Sequence, residues 1–154
     1  MDDQLSPEER ARYARHLILP EMGEEGQKKL KKSSVIVVGA GGLGSPTLLY
    51  LAAAGVGKIG IIDDDKVDIT NLQRQVIHSN SEIGQNKAES ANMRIKALNP
   101  EVEVKIWKER LTPENGMDIF QDGWDIVVDG TDNLPTRYLI DDLCSILDLS
   151  LIHI

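Results

Sequence analysis

The chain has 154 residues, 41% hydrophobic and 27% charged, enough for one domain with its own core, and no apolar run approaches the roughly 18 residues of a membrane-spanning helix. The formal net charge is −8: residues 1–33 hold seven acids and seven bases, residues 34–111 nine of each, and residues 112–154 nine acids against Arg137 alone, so no basic stripe is offered to a nucleic acid. The polar start MDDQLSPEERARYARH is no signal peptide, and a single cysteine, Cys144, allows neither an internal disulfide nor a zinc pair; a cytoplasmic protein with no nucleic-acid and no membrane partner is expected.

In chain order, Ser6-Pro7-Glu8-Glu9 reads as a cap, a first-turn proline and first-turn acids, opening a helix to about Leu17. A second, polar helix is predicted over Glu24–Lys31. Val35–Val38 is a continuous β-branched run, as in a strand buried on both faces. Ser45–Ala54 reads as a helix of small residues, and Ile59–Ile62 as a second strand. Ala88, Ala91, Ile95 and Leu98 recur at helical spacing within Asn86–Leu98, which Asn99-Pro100 ends. Val102, Val104 and Ile106 alternate as a strand with one polar face. A short helix at Glu114–Phe120, a buried strand at Ile126–Val128, a helix over Leu134–Leu147 and a last strand at Leu149–Ile152 complete the series. Strands alternating with helices predict an α/β fold, a Rossmann-like, doubly wound and mostly parallel sheet. It is divided into an N-terminal helical segment, 1–33, and a nucleotide-binding domain, 34–154.

Gly39-Ala40-Gly41-Gly42-Leu43-Gly44 fits G-x-G-x-x-G between a strand and a helix. Gly39 permits the tight turn, Gly41 and Gly42 let the backbone approach phosphate, and Gly44 allows close helix packing. The helix N-terminus adds partial positive charge. Asp63, 19 residues after Gly44, is placed to accept ribose hydroxyls. This stretch does not separate a dinucleotide such as NAD from ATP. The downstream segments do: Asp63-Asp64-Asp65 leads into the polar loop Asn71-Leu72-Gln73-Arg74-Gln75, then Gly84-Gln85-Asn86-Lys87 precedes a helix, and Asp129-Gly130-Thr131-Asp132-Asn133 closes the later strand. Asp63, Asp65, Arg74 and Asp132 then fall on the carboxyl edge of the sheet, where open α/β sheets bind ligands. Cations and carboxylates around one phosphate chain suit a reaction that breaks ATP better than hydride transfer.

The segments RYARHLILP, GAGGLGSP, LAAAGVGKIGIIDDD, NLQRQVIH, IGQNKAESA and DGTDNLPTRY resemble the ThiF/MoeB/HesA adenylyltransferases, relatives of the ubiquitin-activating enzymes, over nearly the whole chain. The start RYARHLILPEMGEEGQ is most similar to the molybdopterin-synthase branch. The resemblance implies Mg-ATP as the nucleotide and a ubiquitin-like sulfur-carrier protein as partner. The carrier's diglycine carboxylate would attack the α-phosphate. It further implies that Arg74 and Lys87 hold the phosphates, that Asn71 and Gln75 sit beside them, and that Asp63 and Asp65 serve the ribose side. Asp132 would position Mg²⁺ or orient the reacting groups, and Arg15 would reach into the partner's site of a homodimer. Arg74, Lys87, Asp132 and Arg15 are thus the expected catalytic set. His16, His78 and His153 show no ligand spacing and receive no metal or catalytic role, and Cys144 reads as a core residue. The competing readings are an NAD-binding oxidoreductase and a non-catalytic dimerising scaffold on the same fold.

Family members run on past this pattern, often with two zinc-binding Cys-x-x-Cys pairs, so zinc is expected only in further C-terminal sequence. The chain therefore reads as the N-terminal part of an enzyme, with much of the carrier groove outside it. The closing LSLIHI resembles translated sequencing-adapter read-through, which would make residues 149–154 foreign to the natural protein.

Overall fold

The computed structural model describes residues 4–154. The predicted first helix is broken in two, α1 (Pro7–Arg12) and α2 (Ala14–Leu17), because Tyr13 leaves helical geometry at φ −99°, ψ 15°. Ser6 and Glu9 form a reciprocal cap on α1: Glu9 N donates to Ser6 Oγ at 3.1 Å and Ser6 N to Glu9 Oε2 at 2.7 Å. After α3 (Gly23–Lys32) come β1 (Ser34–Val38), α4 (Gly44–Ala54), β2 (Lys58–Ile62), α5 (Lys87–Leu98), β3 (Glu103–Trp107), α6 (Pro113–Phe120), β4 (Ile126–Asp129), α7 (Leu134–Leu147) and β5 (Ser150–His153).

The five strands are all parallel, in the order β3-β2-β1-β4-β5. Side chains alternate along each strand, so the sheet has two apolar faces. Val35, Val37, Ile59 and Ile61 pack with Leu48 and Ala52 of α4 and Ala88, Ala91 and Ile95 of α5. On the other side Ile36, Val38, Ile62 and Val127 pack with Ile119 and Phe120 of α6 and Ile140, Leu143 and Cys144 of α7. Cys144 is buried, and burial pushes its thiol up to about 11, leaving it an inert core group.

The N-terminal helices are fastened beneath the far end of α4. Gln27 Nε2 donates to Ala54 O at 2.8 Å, and Asn99 Nδ2 donates both to Tyr13 Oη and to Ala52 O at 2.8 Å. Gly55 closes α4 at φ +89°, and a Cβ there would meet the Tyr13 ring at 2.6 Å. The decisive feature is the point where strand order reverses. From β1 the chain winds outward through β2 and β3, then returns to place β4 on β1's other side. The helices that follow β1 and β4 cross to opposite faces of the sheet there and leave a crevice.

Candidate active site

A cleft of about 570 Å³ opens at that crevice, within the range of small-molecule sites. One wall is the glycine loop. Gly39 has φ +94°, and a Cβ on it would stand 3.0 Å from the Gly130 carbonyl oxygen. Two strand exits thus meet where no side chain fits. Leu43 precedes helix α4 and gives it no side-chain cap, so its leading amides keep the orientation that suits an anion. Added Cβ atoms at Gly41 and Gly42 would have no neighbour nearer than 3.7 Å and 3.6 Å, the first being Gln75 Nε2 and the second the Arg74 side chain. Glycine at these two positions is not demanded by packing. It keeps a cradle open that a methyl group would fill.

Asp63 organises that loop as well as facing the cleft. Its Oδ2 accepts the Ala40 amide at 2.8 Å and its Oδ1 the Asp65 amide at 2.9 Å. Burial pushes its carboxyl above the ordinary range, against the lowering effect of these two amides and of Lys87. Lys87 begins α5 and is buried, with Nζ 3.3 Å from the exposed Asp65 carboxylate. Asn86 secures the helix start. Its Oδ1 accepts the Ala88 and Glu89 amides at 2.9 Å and 3.2 Å, and its Nδ2 donates to the carbonyls of Asp63 and Asp65 at 3.0 Å and 3.2 Å. Arg74 is exposed over Gly42 and, among the described residues, its side chain is held only by a 3.3 Å hydrogen bond to the Thr70 carbonyl, so its guanidinium has donors to spare for a ligand. Gln75 is buried, and its Oε1 has no hydrogen-bond partner among the described residues.

The opposite wall is the β4 exit. Asp129 is fully buried. Its Oδ1 accepts the Thr131 amide at 2.9 Å and hydroxyl at 2.6 Å, while Asn133 caps α7 through the Thr136 amide at 3.0 Å. Asp132 stands between these two anchors and lines the cleft with no hydrogen bond or ion pair among the described residues. It is therefore neither the helix cap nor a salt-bridge partner, and an exposed carboxylate without a partner suits a hydrated Mg²⁺.

Of the expected residues, Gly39, Gly41, Gly42, Asp63, Asp65, Arg74, Gln75, Lys87 and Asp132 line the one cleft. Gly44 lies behind it as a packing residue, its added Cβ 1.9 Å from the Gly39 carbonyl oxygen. Asn71 is outside the lining and helps build the turn: its Oδ1 accepts the Asp68 amide at 3.2 Å, and its carbonyl takes the amides of Arg74 and Gln75 at 3.1 Å and 2.9 Å. It shapes the segment that carries Arg74. Arg15 is exposed on α2 and is also outside the cleft of its own chain. Arg110 and Leu111, beyond the carboxyl end of β3, line the cleft although sequence reasoning does not single them out. The rule that ligands sit beyond strand ends applies equally to β3 and is the signal that could find them. None of the lining comes from β5.

Residues 13–153 match the ThiF family. The chain is 58% identical over 138 residues to a protein of Mycobacterium tuberculosis named probable adenylyltransferase/sulfurtransferase MoeZ, covering 90% of this chain and 35% of that one. It is 50% identical to the sulfur carrier protein adenylyltransferase of Thermus thermophilus, covering 94% of this chain and 53% of that one. The crystal structure of the E. coli tRNA N6-threonylcarbamoyladenosine dehydratase TcdA in complex with ATP superimposes with a TM-score of 0.89 at 32% identity, over 96% of this chain and 60% of that one. The chain spans about a third to a half of the length of these two curated relatives.

Proposed function

The chain belongs to the ThiF family, and from that premise we propose that it forms the nucleotide-binding part of an ATP-dependent adenylyltransferase acting on the C-terminal diglycine of a ubiquitin-like sulfur-carrier protein. The observation that carries the reading is the open Gly41–Gly42 cradle faced by Arg74 with Lys87 buried in the same cleft. A buried lysine and an exposed arginine against backbone amides answer the charge of a triphosphate, which exceeds that of a dinucleotide's pyrophosphate. The names of the two curated relatives support the adenylyl transfer and the sulfur carrier, and the ATP complex of TcdA supports the nucleotide.

In this reaction the carrier carboxylate attacks the α-phosphorus, the bond to the bridging oxygen breaks, and pyrophosphate leaves with the electron pair. Charge grows on that oxygen while two anions are held together, so the assistance required is electrostatic. Arg74 and Lys87 bind the phosphates, the loop amides fix their path, and Asp63 receives the ribose hydroxyls. Asp132 would hold Mg²⁺, which supplies charge neutralisation on the phosphates. In the full-length enzyme, labelled pyrophosphate is expected to exchange into ATP only in the presence of a diglycine-ended carrier, while residues 1–154 alone are expected not to turn over. Exchange without a carrier, or stabilisation by NADH and not by Mg-ATP, would count against the proposal.

Arg74→Ala is expected to lower nucleotide use by about tenfold to a hundredfold, since hydrogen bonds to charged groups contribute roughly 1.5–3 kcal/mol each. Unchanged apparent nucleotide affinity and turnover would remove Arg74 from the site. Arg15, outside its own cleft, is read as serving a second copy in a homodimer. An Arg15→Ala subunit mixed with an Asp132→Ala subunit should then regain one working site per heterodimer. No recovery despite proven subunit exchange would place Arg15 outside any site.

A further inference from the structure

His78 takes no part in the phosphate chemistry above, yet it is buried against the glycine loop. Its Nε2 lies 2.8 Å from the Ala40 carbonyl oxygen and its Nδ1 2.6 Å from the Ser90 hydroxyl. Ser90 Oγ lies 2.6 Å from Glu82 Oε2, which also accepts the Ser79 amide at 2.9 Å. A carbonyl oxygen can only accept, so Nε2 must carry a proton. Ala40 is gripped from its other side as well, its amide donating to Asp63 at 2.8 Å. This residue, fixed at both of its polar backbone groups, passes the chain directly to Gly41 and Gly42.

The same residue reaches the other parts of the site through its backbone and its ring. The His78 amide donates to the Gln75 carbonyl at 3.2 Å, next to Arg74, and Ser90 stands one turn after Lys87 on α5. We propose that His78 is a positioning residue for the nucleotide, its Nε2–H setting the glycine loop and its Nδ1 tying that loop, through Ser90, to the helix that carries Lys87, while its backbone amide joins the segment that carries Arg74. The consequence for nucleotide binding rests on the proposed function; the clamp on the loop does not.

Proton counting shows which part of the chain is fixed. Ser90 has one hydroxyl proton and two acceptors beside it, Glu82 and a neutral Nδ1, so it serves one of them. With a charged ring, Nδ1–H donates to Ser90 and Ser90 to Glu82. Burial is the strongest influence and holds His78 below the ordinary imidazole range; Lys87 acts the same way, while the Ala40 carbonyl, Asp63 and Glu82 oppose it. In both protonation states Nε2 keeps its proton, so the grip on Ala40 persists while the Ser90 hydroxyl reorients.

Three measurements on the 154-residue chain test this. Nitrogen NMR of labelled histidine, with the His78 signal identified by its loss in His78→Gln, should show a protonated Nε2; a neutral ring protonated on Nδ1 overturns the clamp. Amide hydrogen exchange at Gly39 and Ala40, both hydrogen-bonded, should be about fivefold to tenfold faster in His78→Leu, the loss of one ordinary hydrogen bond. His78→Gln, whose amide nitrogen can stand in for Nε2, should recover most of that protection. ATP affinity should weaken by a similar factor in His78→Leu and return in His78→Gln. Equal loop exchange in wild type and His78→Leu overturns the proposal, as does loss of melting temperature with loop exchange and ATP affinity untouched. If His78→Leu does not fold, the wild-type tautomer and the His78→Gln exchange decide. If the 154-residue chain holds ATP too weakly to compare, the affinities are read in the full-length enzyme, whose failure to bind ATP refutes the proposed function, and the loop-exchange comparison still decides the role of His78.

Discussion

Lys87→Met is expected to cut carrier-dependent pyrophosphate exchange by roughly a hundredfold to a thousandfold, the range seen when one preorganised donor to a developing oxyanion is removed. The effect should exceed that of Arg74→Ala for a physical reason. Arg74 is exposed over Gly42, where water and salt screen it and its long side chain must be ordered on binding. Lys87 is buried at the start of α5, and its ammonium is aimed by the backbone: its own amide donates to the Asp65 carbonyl at 2.9 Å, and Asn86 ties the helix start to β2's exit. A buried cation acts at lower effective dielectric and needs little reorganisation when charge moves. Methionine keeps most of the volume and removes the charge. Asp63 would lose the lysine that now opposes the effect of burial on its carboxyl, so its carboxyl should rise further, with part of the deficit appearing as a pH-dependent loss of ribose-side binding. The measurement is exchange rate against ATP concentration for wild type, Lys87→Met and Arg74→Ala. A Lys87→Met enzyme at least as active as Arg74→Ala would overturn this ordering, and one that exchanges at the wild-type rate would show that Lys87 only pairs with Asp65.

The parts of this site that the sequence reveals are those with a periodic or positional signature. Val35–Val38 and Ile126–Val128 are unbroken β-branched runs, and both are interior strands, the first between β2 and β4 and the second between β1 and β5. Their C-terminal ends fix where Gly39 and Asp132 fall. Asp63 and Lys87 are likewise marked by their places at a strand's end and a helix's start. Other features lack such a mark. The break at Tyr13 arises because its ring has to reach Gly55 and Asn99, residues far along the chain. Asn71 reads as a phosphate ligand in a polar motif, and only the fold shows that its Oδ1 also serves the turn that presents Arg74. His78 is silent for a similar reason: its partners Ala40, Ser90 and Glu82 come from three different segments, and only the packed fold brings them to one ring. Local pattern shows where the chain turns and which edge it offers; contacts made at long range decide which polar residues bind and which merely hold the binders.

Gly41→Ala and Gly44→Ala should separate those two kinds of role within one loop. Gly44→Ala places a Cβ 1.9 Å from the Gly39 carbonyl oxygen and 2.9 Å from its carbon. Both are backbone atoms held to β2, since the Gly39 amide donates to Ile62 O at 2.9 Å, so neither can rotate aside as a side chain would. Relief requires α4 to move off the sheet, against Leu48 and Ala52 in the core. Overpacking of this kind costs about 3 kcal/mol or more, which for a domain of this size lowers the melting temperature by roughly 6–12 °C. Nucleotide binding should fail with it, because Gly39, Ala40 and Gly41 shift together. At Gly41 the added methyl meets nothing nearer than Gln75 Nε2 at 3.7 Å, and its φ is not positive. Gly41→Ala should therefore melt within about 1–2 °C of wild type, the usual range for a substitution that neither strains nor uncovers anything. Yet the methyl occupies the cradle where phosphate oxygens would approach the amides, and ATP affinity should fall by at least about tenfold, the loss of one charge-assisted hydrogen bond. Thermal melts with and without Mg-ATP distinguish the cases. Undiminished ATP stabilisation of Gly41→Ala would mean that the phosphates take another path through the cleft, and an unshifted melt for Gly44→Ala would mean that α4 does not sit against the loop as described.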